Sequence, residues 1–506
     1  MDSSHGGTPD LQDQHRARAS IHDVPVELLS PIIYLSIQGY STHLKRVQTL
    51  CFVCSKWRDV VEDTPELWCR LTSADPLEGV RKAIHYSRDH PLDIDYHCIS
   101  RTRSNPPDFL QAVAPHVWRC RQASIIVDRS TQRMLQALTV GEAPRLESLA
   151  IVADGLMNPW FYTREPLTLF QGATLPSLRS LRIRDIPLVW NGEQLFNLQR
   201  LEIVAPERTL VPLIGLLSVL RVTQRLEEFT CLASFSQALE GDRITAPLPA
   251  LKKLSIHSFG TSSWLDLFSM IRAPACRYLS LGGDFSRHLE NPNNLAQIAE
   301  GISQIFPRVW KATDREERVR IAVGCWEVRL SSSTLQLVFS GYPQTIQLAK
   351  WTILNLVDEL EEINLSINDY TWNASQLEML DLPTLGRKVS KLDINADVRE
   401  RRAILEYLSS PDRGSDSQTR WPLPDLTEVA LAVTADDLPG ILRMLRGRAQ
   451  AIDLPGSLRP QGIIGLHLSE DARHSLDITD ILAEIDSLLR GNGGSLTIMR
   501  WGAHRE

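Results

Sequence analysis

Apolar residues recur every three or four positions over two stretches near the start of the chain. The first stretch follows Asp23-Val24-Pro25, which is typical of a helix start because aspartate accepts unpaired N–H groups and proline fits the first turn. Its apolar positions are Leu28, Leu29, Ile32, Ile33 and Leu35. The second stretch keeps helical spacing on one face from Leu44 to Val61. We therefore expect two helices, separated by a break at residues 38–41.

Two short helices of this kind cannot hide all their apolar surface, including Trp57, against each other. They need a partner, which the pattern allows to be either the rest of this chain or another protein. The preceding residues 1–20 are polar and lack periodicity, so we expect them to form a disordered leader. A helix around Pro76 to Asp89 and an alternating strand at Pro91 to Tyr96 follow.

From residue 144 onwards a short sequence pattern repeats: an apolar anchor, two polar residues and a short strand of alternating polarity. The first anchors are Leu146, Leu178, Leu198, Leu226, Leu251 and Cys276. Their steps of 32, 20, 28, 25 and 25 residues bracket the spacing of leucine-rich repeats. Apolar segments such as 210–222 and 264–271 predict helices on the return legs. The expected fold class is α/β, an irregular solenoid with strands on its concave face and helices on its convex face.

The repeated pattern is interrupted between residues 282 and 355, where we expect an inserted element. Residues 294–306 look helical, and residues 324–330 and 335–339 predict a hairpin. A loop rich in Ser, Asp and Gly at 412–419 should be mobile. The chain should then close with a helix near 478–489 and a strand at 495–499. The expected organisation is a leader at 1–20, a helical module at 21–70, a connecting segment at 71–135 and the repeat region at 136–500.

Composition narrows the function classes. The apolar share of 43% and the charged share of 23% are those of an ordinary folded protein. The net charge is −7 and the basic residues are scattered, which argues against nucleic acid as a partner. No signal sequence and no long apolar run are present, so we expect no membrane partner and a cytoplasmic or nuclear protein. The eight thinly spread cysteines are expected to be reduced thiols.

Motifs for catalysis or metal binding are weak. Cys51-Phe-Val-Cys54 has the spacing of a redox or zinc pair, but it has no second pair and fits the apolar face of a helix. Asp93 and Asp95 fit outward positions of a strand better than a cation site. Glycine-rich phosphate loops and nucleophile elbows are also missing from the sequence. We expect no enzyme activity, no cofactor and no metal.

The helical start resembles a known family. Val24-Pro25-x-Glu27-Leu28-Leu29-x-x-Ile32, then Leu50-x-x-Val53-Cys54-x-x-Trp57-Arg58 and Leu67-Trp68, is similar to the F-box, a short module of ubiquitin-ligase adaptors. The resemblance implies binding to a Skp-type adaptor and, through it, to a cullin and RING ligase. It also implies the residues that face the adaptor or form the module's shared core: Pro25, Leu28, Ile32, Val53 and Trp57.

An F-box followed by irregular leucine-rich repeats is similar to a large class of fungal F-box proteins. This resemblance implies recruitment of a protein target for ubiquitination. The target should contact the concave strand face. Outward positions on the strands are Arg182, Arg184, Arg200, Glu202, Lys253, His257, Asn364, Asp393 and Asn395.

Two alternatives stay open. The chain could be a non-catalytic leucine-rich-repeat scaffold unrelated to ubiquitin, in which the first helices cap the solenoid internally. It could also be an enzyme whose residues lie on distant loops, which would require a compact pocket with convergent polar groups.

Overall fold

The computed structural model describes residues 24–37, 43–97, 106–127, 141–153, 166–205, 210–235, 245–257, 267, 270–282, 319–323, 327–331, 336–340, 363–369, 389–396, 398–413, 419–431, 435–451, 460–469 and 479–499. The fold is mixed α/β and is dominated by parallel strands. The chain divides into two compact units, the first comprising Met1–Phe161 with Leu169–Ser177 and the second Tyr162–Thr168 with Leu178–Glu506. The predicted leader at 1–20 and the predicted cap Asp23 lie outside the described residues.

The first unit begins with helices and continues with strands. Its helices are α1 (Val26–Ile37), α2 (His43–Cys51), α3 (Ser55–Glu62), α4 (Leu77–Tyr86) and α5 (Pro106–Val113). Its strands are β1 (Arg70–Thr72), β2 (Leu92–His97), β3 (Cys120–Val127) and β4 (Ser148–Ala153). The four strands pair in chain order, and every pair is parallel. The helix expected around Pro76 to Asp89 and the strand expected at Pro91 to Tyr96 are confirmed as α4 and β2.

The single helix expected from Leu44 to Val61 is wrong, because α2 and α3 are separate helices. The chain turns at residues 52–54, where Cys54 is extended with φ −163° and ψ 173°. The N–H of Phe52 bonds the carbonyl of Thr49, which tightens the last turn of α2. The Arg58 Nε then donates to the carbonyl of Cys51 at 3.2 Å, so this break satisfies an acceptor that a helix end leaves unpaired.

A buried arginine fixes the end of α4 in the first unit. Arg119 is 2% exposed, and its guanidinium donates to the carbonyls of Ile84 at 3.0 Å and His90 at 3.1 Å. It also donates to the carbonyl of Arg88 and to the Ser87 hydroxyl. Four acceptors at a helix C-terminus are thereby satisfied by one planar cation, which suits the negative end of the helix dipole. Burial lowers the pKa of Arg119.

The second unit carries most of the strands. They are β5 (Ser180–Arg184), β6 (Arg200–Val204), β7 (Glu228–Leu232), β8 (Lys253–His257), β9 (Tyr278–Gly282), β10 (Val319–Val323), β11 (Glu327–Ser331), β12 (Gln336–Ser340), β13 (Ile363–Asp369), β14 (Val389–Ala396), β15 (Glu428–Leu431), β16 (Gly465–Ser469) and β17 (Ser495–Met499). Its longer helices are α6 (Leu213–Val222), α7 (Val398–Leu408), α8 (Leu438–Ala451) and α9 (Thr479–Gly491).

Strands β5 to β9 pair in chain order and in parallel. Beyond β9 the order reverses, because β9 pairs with β12, which runs antiparallel to β11, and β11 runs antiparallel to β10. Strand β10 then pairs in parallel with β13, and β13 to β17 continue in chain order. The predicted hairpin is confirmed as β11 and β12, and its strands continue the sheet between β9 and β13.

Each copy of the repeated pattern forms a strand because every second residue is apolar and points into the core. One register row across β5 to β9 is almost fully buried and consists of Leu181, Leu201, Phe229, Leu254 and Leu279. A second buried row lies two residues further on, at Ile183, Ile203, Cys231, Ile256 and Leu281. Burying a side chain of this size contributes about 1.5–3 kcal/mol, so these rows fix the register.

The helix expected within residues 210–222 is confirmed as α6, which follows the short strand Leu210–Val211. The helix expected near 478–489 and the strand expected at 495–499 are confirmed as α9 and β17. Of residues 264–271 only a few are described, and residues 294–306 lie outside the described residues. Most of the expected loop at 412–419 does too, while Asp412–Arg413 pairs antiparallel with Thr419–Arg420. Over the described part of the chain, no helix combines the length and apolarity needed to cross a bilayer.

Candidate docking face

Helix α1 has two apolar faces. Leu29, Ile33 and Ile37 recur every four residues and are at most 2% exposed. Leu28, Ile32 and Leu35 lie on another face of the same helix and are 57%, 50% and 66% exposed. A helix that only covers the core of its own chain carries one apolar stripe with polar residues opposite. The second stripe of α1 is therefore in excess of what the first unit needs for its core.

Contacts with α3 orient α1. The Lys56 ammonium donates to the carbonyl of Val24 at 2.9 Å, and the hydroxyls of Ser30 and Thr64 lie 3.2 Å apart. The first contact places the start of α1 beside the start of α3, and the second places the middle of α1 beside the residues that follow α3. The turn between α2 and α3 presents Phe52 at 81% and Val53 at 54% exposure. We define the docking face as Leu28, Ile32, Leu35, Phe52 and Val53.

The five positions expected to face an adaptor or form the module's core do not share one environment. Pro25, Leu28, Ile32 and Val53 are exposed. Trp57 is half-buried, and its indole Nε1 is buried without a hydrogen-bond partner in the described structure. A truncation of Trp57 would therefore disturb packing as well as any docking. The indole is a poor probe of binding alone.

Sequence reasoning did not identify Phe52 and Leu35 as exposed apolar residues. Phe52 was overlooked because a single helix from Leu44 to Val61 would have put it among polar neighbours. A large aromatic residue at a polar position was the available signal. Leu35 was assigned to the apolar face of its helix, and nothing in the spacing divided that face into buried and exposed halves.

The base of the helical module is anchored to the first strand. Asp75 is 2% exposed, and its carboxylate accepts N–H groups of Lys45, in the first turn of α2, and of Thr72 at the end of β1. Desolvation of this carboxyl raises its pKa to about 6. The Nε2–H of buried His43 donates to the carbonyl of Leu67 at 2.9 Å, and burial lowers the pKa of His43. Polar contacts thus fix the start of α2 on the chain that follows it.

Six of the nine outward positions named from the sequence lie on strands β5, β6 and β8 of the second unit: Arg182, Arg184, Arg200, Glu202, Lys253 and His257. Most have intramolecular partners. The Arg182 Nε donates to the Glu202 carboxylate at 2.9 Å, and an Arg184 nitrogen lies 3.8 Å from the same carboxylate. Lys253 sits 5.2 Å above the ring of Tyr278. Arg200 is exposed beside them.

His257 is the most enclosed of the six. Its Nε2 lies 3.0 Å from the Ser280 hydroxyl, and burial lowers its pKa. A Cβ on Gly282 would lie 2.0 Å from His257 Nδ1, so only glycine leaves room for the ring. His257 is therefore part of the packing between β8 and β9.

The other candidate groups for chemistry are dispersed or paired. Cys51 and Cys54 are half-buried, and burial raises the pKa of Cys51, which keeps that thiol protonated. Asp93 bonds Arg121 at 2.6 Å, and Asp95 lies 3.9 Å from Arg70. Within the described ranges, no three His, Cys, Asp or Glu side chains converge as metal ligands would.

Comparison with known proteins gives no assignment. No protein-family model matches the chain. No curated protein matches it at a significant level.

Proposed function

We propose that this chain is the substrate-recognition adaptor of an SCF-type ubiquitin ligase. Its docking face binds a Skp-type adaptor subunit, and its repeat region forms a leucine-rich-repeat-like solenoid that recruits a protein target for ubiquitination by the other subunits. The observation that carries the proposal is that α1 buries Leu29 and Ile33 fully, whereas Leu28 is 57% exposed and Ile32 is 50% exposed.

The size of the docking face suits a protein partner. Burying the exposed parts of its five apolar side chains would contribute about 1 kcal/mol each, or about 5 kcal/mol together. Exposed apolar side chains in such number mark interaction sites in proteins. The spacing of Leu28, Ile32 and Leu35 at i, i+4 and i+7 fits the mode in which a helix lays its face into an apolar groove.

The match between position and exposure gives further support. Four of the five residues that the F-box resemblance assigns to the adaptor contact or module core are exposed: Pro25, Leu28, Ile32 and Val53. Copies of the repeated pattern form parallel strands with polar residues on the outward side, as a surface that binds a protein target requires. Neither feature names the target.

The alternative, a scaffold unrelated to ubiquitin, has one observation in its favour. The inner sides of the first helices pack on the first unit, through Asp75 and His43 among others, as an internal cap would. A cap accounts for the buried face of α1. It does not explain why α1 also exposes apolar side chains, and for that reason we favour the docking function.

A binding experiment on the full chain tests the proposal. The double variant Leu28→Asp with Ile32→Asp changes only exposed side chains, so the melting temperature should stay within about 2 °C while affinity for a purified Skp-type adaptor falls more than about 100-fold, near 3 kcal/mol. Ile214→Asp is the matched control, because Ile214 is 46% exposed on α6 of the second unit. It should leave affinity unchanged.

Two results would contradict the proposal. The wild-type chain could fail to bind the adaptor at micromolar concentrations. Alternatively, the Leu28→Asp, Ile32→Asp variant could bind as tightly as the control.

A further inference from the structure

Each copy of the repeated pattern places two residues between its apolar anchor and the first buried residue of its strand. For β5 to β9 these pairs are Arg179-Ser180, Gln199-Arg200, Glu227-Glu228, Lys252-Lys253 and Arg277-Tyr278. They comprise five cations and two carboxylates, which gives a formal charge of +3 in a chain whose net charge is −7. We define the basic row as the five cations, Arg179, Arg200, Lys252, Lys253 and Arg277.

Backbone hydrogen bonds hold these pairs side by side at one end of the strands. The N–H of Arg200 bonds the carbonyl of Arg179 at 2.9 Å, and the N–H of Lys253 bonds the carbonyl of Glu227 at 3.0 Å. Neighbouring strands lie about 4.8 Å apart, so the four steps from β5 to β9 span about 19 Å. The basic row is therefore about as long as six residues of extended chain.

The two carboxylates among these pairs offset part of the charge. Glu227 bonds the Lys252 ammonium at 2.7 Å in an exposed ion pair. Glu228 lies in register between Arg200 and Lys253, one strand away from each. Even when both carboxylates are counted in full, the positive excess of +3 remains.

The arginines of the basic row are its cations without a partner. Arg179, Arg200 and Arg277 are exposed, and their side chains form no ion pair or hydrogen bond in the part of the chain that the structure describes. By contrast, the two arginines within β5 share the carboxylate of Glu202. A guanidinium presents parallel N–H donors that match the two oxygens of a carboxylate, so arginine is the cation best suited to bind acidic side chains.

The same positions on later strands carry no such excess. In register across β14, β15 and β16 they are Lys391, Glu428 and Gly465. The Lys391 ammonium bonds the Glu428 carboxylate at 2.9 Å, so these charges cancel. The positive charge is therefore a property of β5 to β9, and the repeated pattern does not require it.

We infer that the basic row binds an acidic segment of the protein target, an extended stretch of about six residues that carries several aspartate or glutamate side chains. This inference rests on the proposed function, since it specifies the chemistry of the target. Charge complementarity between the row and the segment speeds association and discriminates against targets whose corresponding segment is basic or uncharged.

A nucleic acid is the other polyanion that a row of cations attracts. Glu227 and Glu228 argue against it. They interrupt the basic row at its centre, where a continuous phosphate backbone would meet two carboxylates. A peptide segment avoids this repulsion, because it can place an uncharged or basic side chain at that point.

Charge reversal at the two ends of the row tests the inference on the full chain. The probe is a fluorescein-labelled peptide of alternating Glu and Ser, about ten residues long, and its control has Gln for every Glu. At 50 mM NaCl the wild-type chain should bind the acidic peptide with a Kd of about 100 µM or lower by fluorescence anisotropy, and the Gln peptide at least about 10-fold more weakly. Arg179→Glu with Arg277→Glu should raise the Kd for the acidic peptide at least about 10-fold. At 500 mM NaCl this difference should shrink below about threefold, because the Debye length falls with salt.

A matched control makes the same change in net charge elsewhere in the second unit. Arg221→Glu with Arg443→Glu reverses exposed cations on α6 and α8 and should change the Kd less than about twofold. If the melting temperature of the reversal variant falls by more than about 2 °C, Arg179→Gln with Arg277→Gln replaces it, with an expected rise in Kd of about threefold.

The outcomes separate this inference from the proposed function. Equal Kd values for the acidic peptide in the wild-type chain and both reversal variants, or no binding of that peptide at 50 mM NaCl, would overturn the acidic target and leave adaptor docking standing. Binding of the acidic peptide through the basic row by a chain that binds no Skp-type adaptor would overturn the proposed function and leave the row as a binding surface for acidic peptides. Tighter binding of a single-stranded oligothymidylate of equal charge, lost on charge reversal, would replace the peptide with a nucleic acid.

Discussion

The outward face of α1 and the outward faces of the strands in the second unit are both exposed, yet their side chains are in opposite situations. On α1, Leu28, Ile32 and Leu35 are at least half exposed in the part of the chain that the structure describes. On the strands, Arg182 and Arg184 share the carboxylate of Glu202. These charged residues of the strands pair with one another, whereas the apolar residues of α1 stay exposed in the described structure.

This difference shows which surface gives the stronger evidence of function. Exposed ion pairs contribute about 0–1 kcal/mol and occur on any protein surface. Clustered apolar exposure is uncommon on a surface without a binding role. The docking face is thus the better-supported site, and the six strand positions are candidates whose use by a target requires displacement of existing contacts.

Separate truncations on the two faces of α1 should give the largest difference in stability. Leu29→Ala should lower the free energy of unfolding by about 3 kcal/mol, because it opens a cavity at a fully buried site. Leu28→Ala, one position away and 57% exposed, should lower it by less than about 1 kcal/mol. Denaturant unfolding followed by tryptophan fluorescence measures both, and equal losses would show that the two faces are equally buried in solution.

A smaller effect on stability tests the contact that Asp75 makes with α2 and β1. The pKa of Asp75 is raised in the fold to about 6 from an unfolded value of 3.8, so the folded state binds more protons between these values. The Asp75 contribution is therefore most favourable below about pH 4 and is lost as pH rises through about 6, by about 2–3 kcal/mol in total.

The measurement is the difference in unfolding free energy between the wild-type chain and Asp75→Asn from pH 4 to pH 7. Asparagine retains an acceptor for the N–H groups of Lys45 and Thr72 but does not titrate. The variant should gain on the wild-type chain as pH rises. A difference that is constant with pH would mean that this carboxyl has an ordinary pKa and is open to water.

The smallest expected effect concerns the strand surface. A double-mutant cycle with Arg182→Ala and Glu202→Ala should give a coupling energy of about 0.5 kcal/mol, because both side chains are partly exposed. Thermal unfolding at 50 mM and 500 mM NaCl measures it, and screening should reduce it. A coupling above about 2 kcal/mol would make this pair a structural element and would weaken the contrast with α1.

The strands could be predicted from the sequence because their code is local. In Leu181-Arg-Ile183 and Leu201-Glu-Ile203, each residue's side of the sheet follows from the alternation of polarity. The reversed order of β10, β11 and β12 could not be predicted, since pairing between distant strands depends on which apolar rows align. The confirmed hairpin of β11 and β12 is the part of this region that is local in sequence.

The apolar residues of α1 could be predicted from the sequence, but which of them are buried and which are exposed could not. Spacing alone put Leu28, Leu29, Ile32 and Ile33 on one apolar side. Which of them face the core depends on how α1 rotates against α3, and contacts such as Ser30 with Thr64 lie 34 residues apart in the chain. Similarly, no periodicity indicated that α2 would end at Cys51 and leave Phe52 at the turn.

Site-specific thiol labelling tests the central claim most directly. In the full chain with Ile32→Cys, iodoacetamide labelling at position 32, localised by mass spectrometry, should be fast in the free protein, since Ile32 is 50% exposed. A saturating Skp-type adaptor should slow it at least about 10-fold, because a docked face excludes the reagent. Labelling of the Ile214→Cys control should not change. If position 32 reacts equally fast with and without the adaptor, the exposed face of α1 is not where the partner binds.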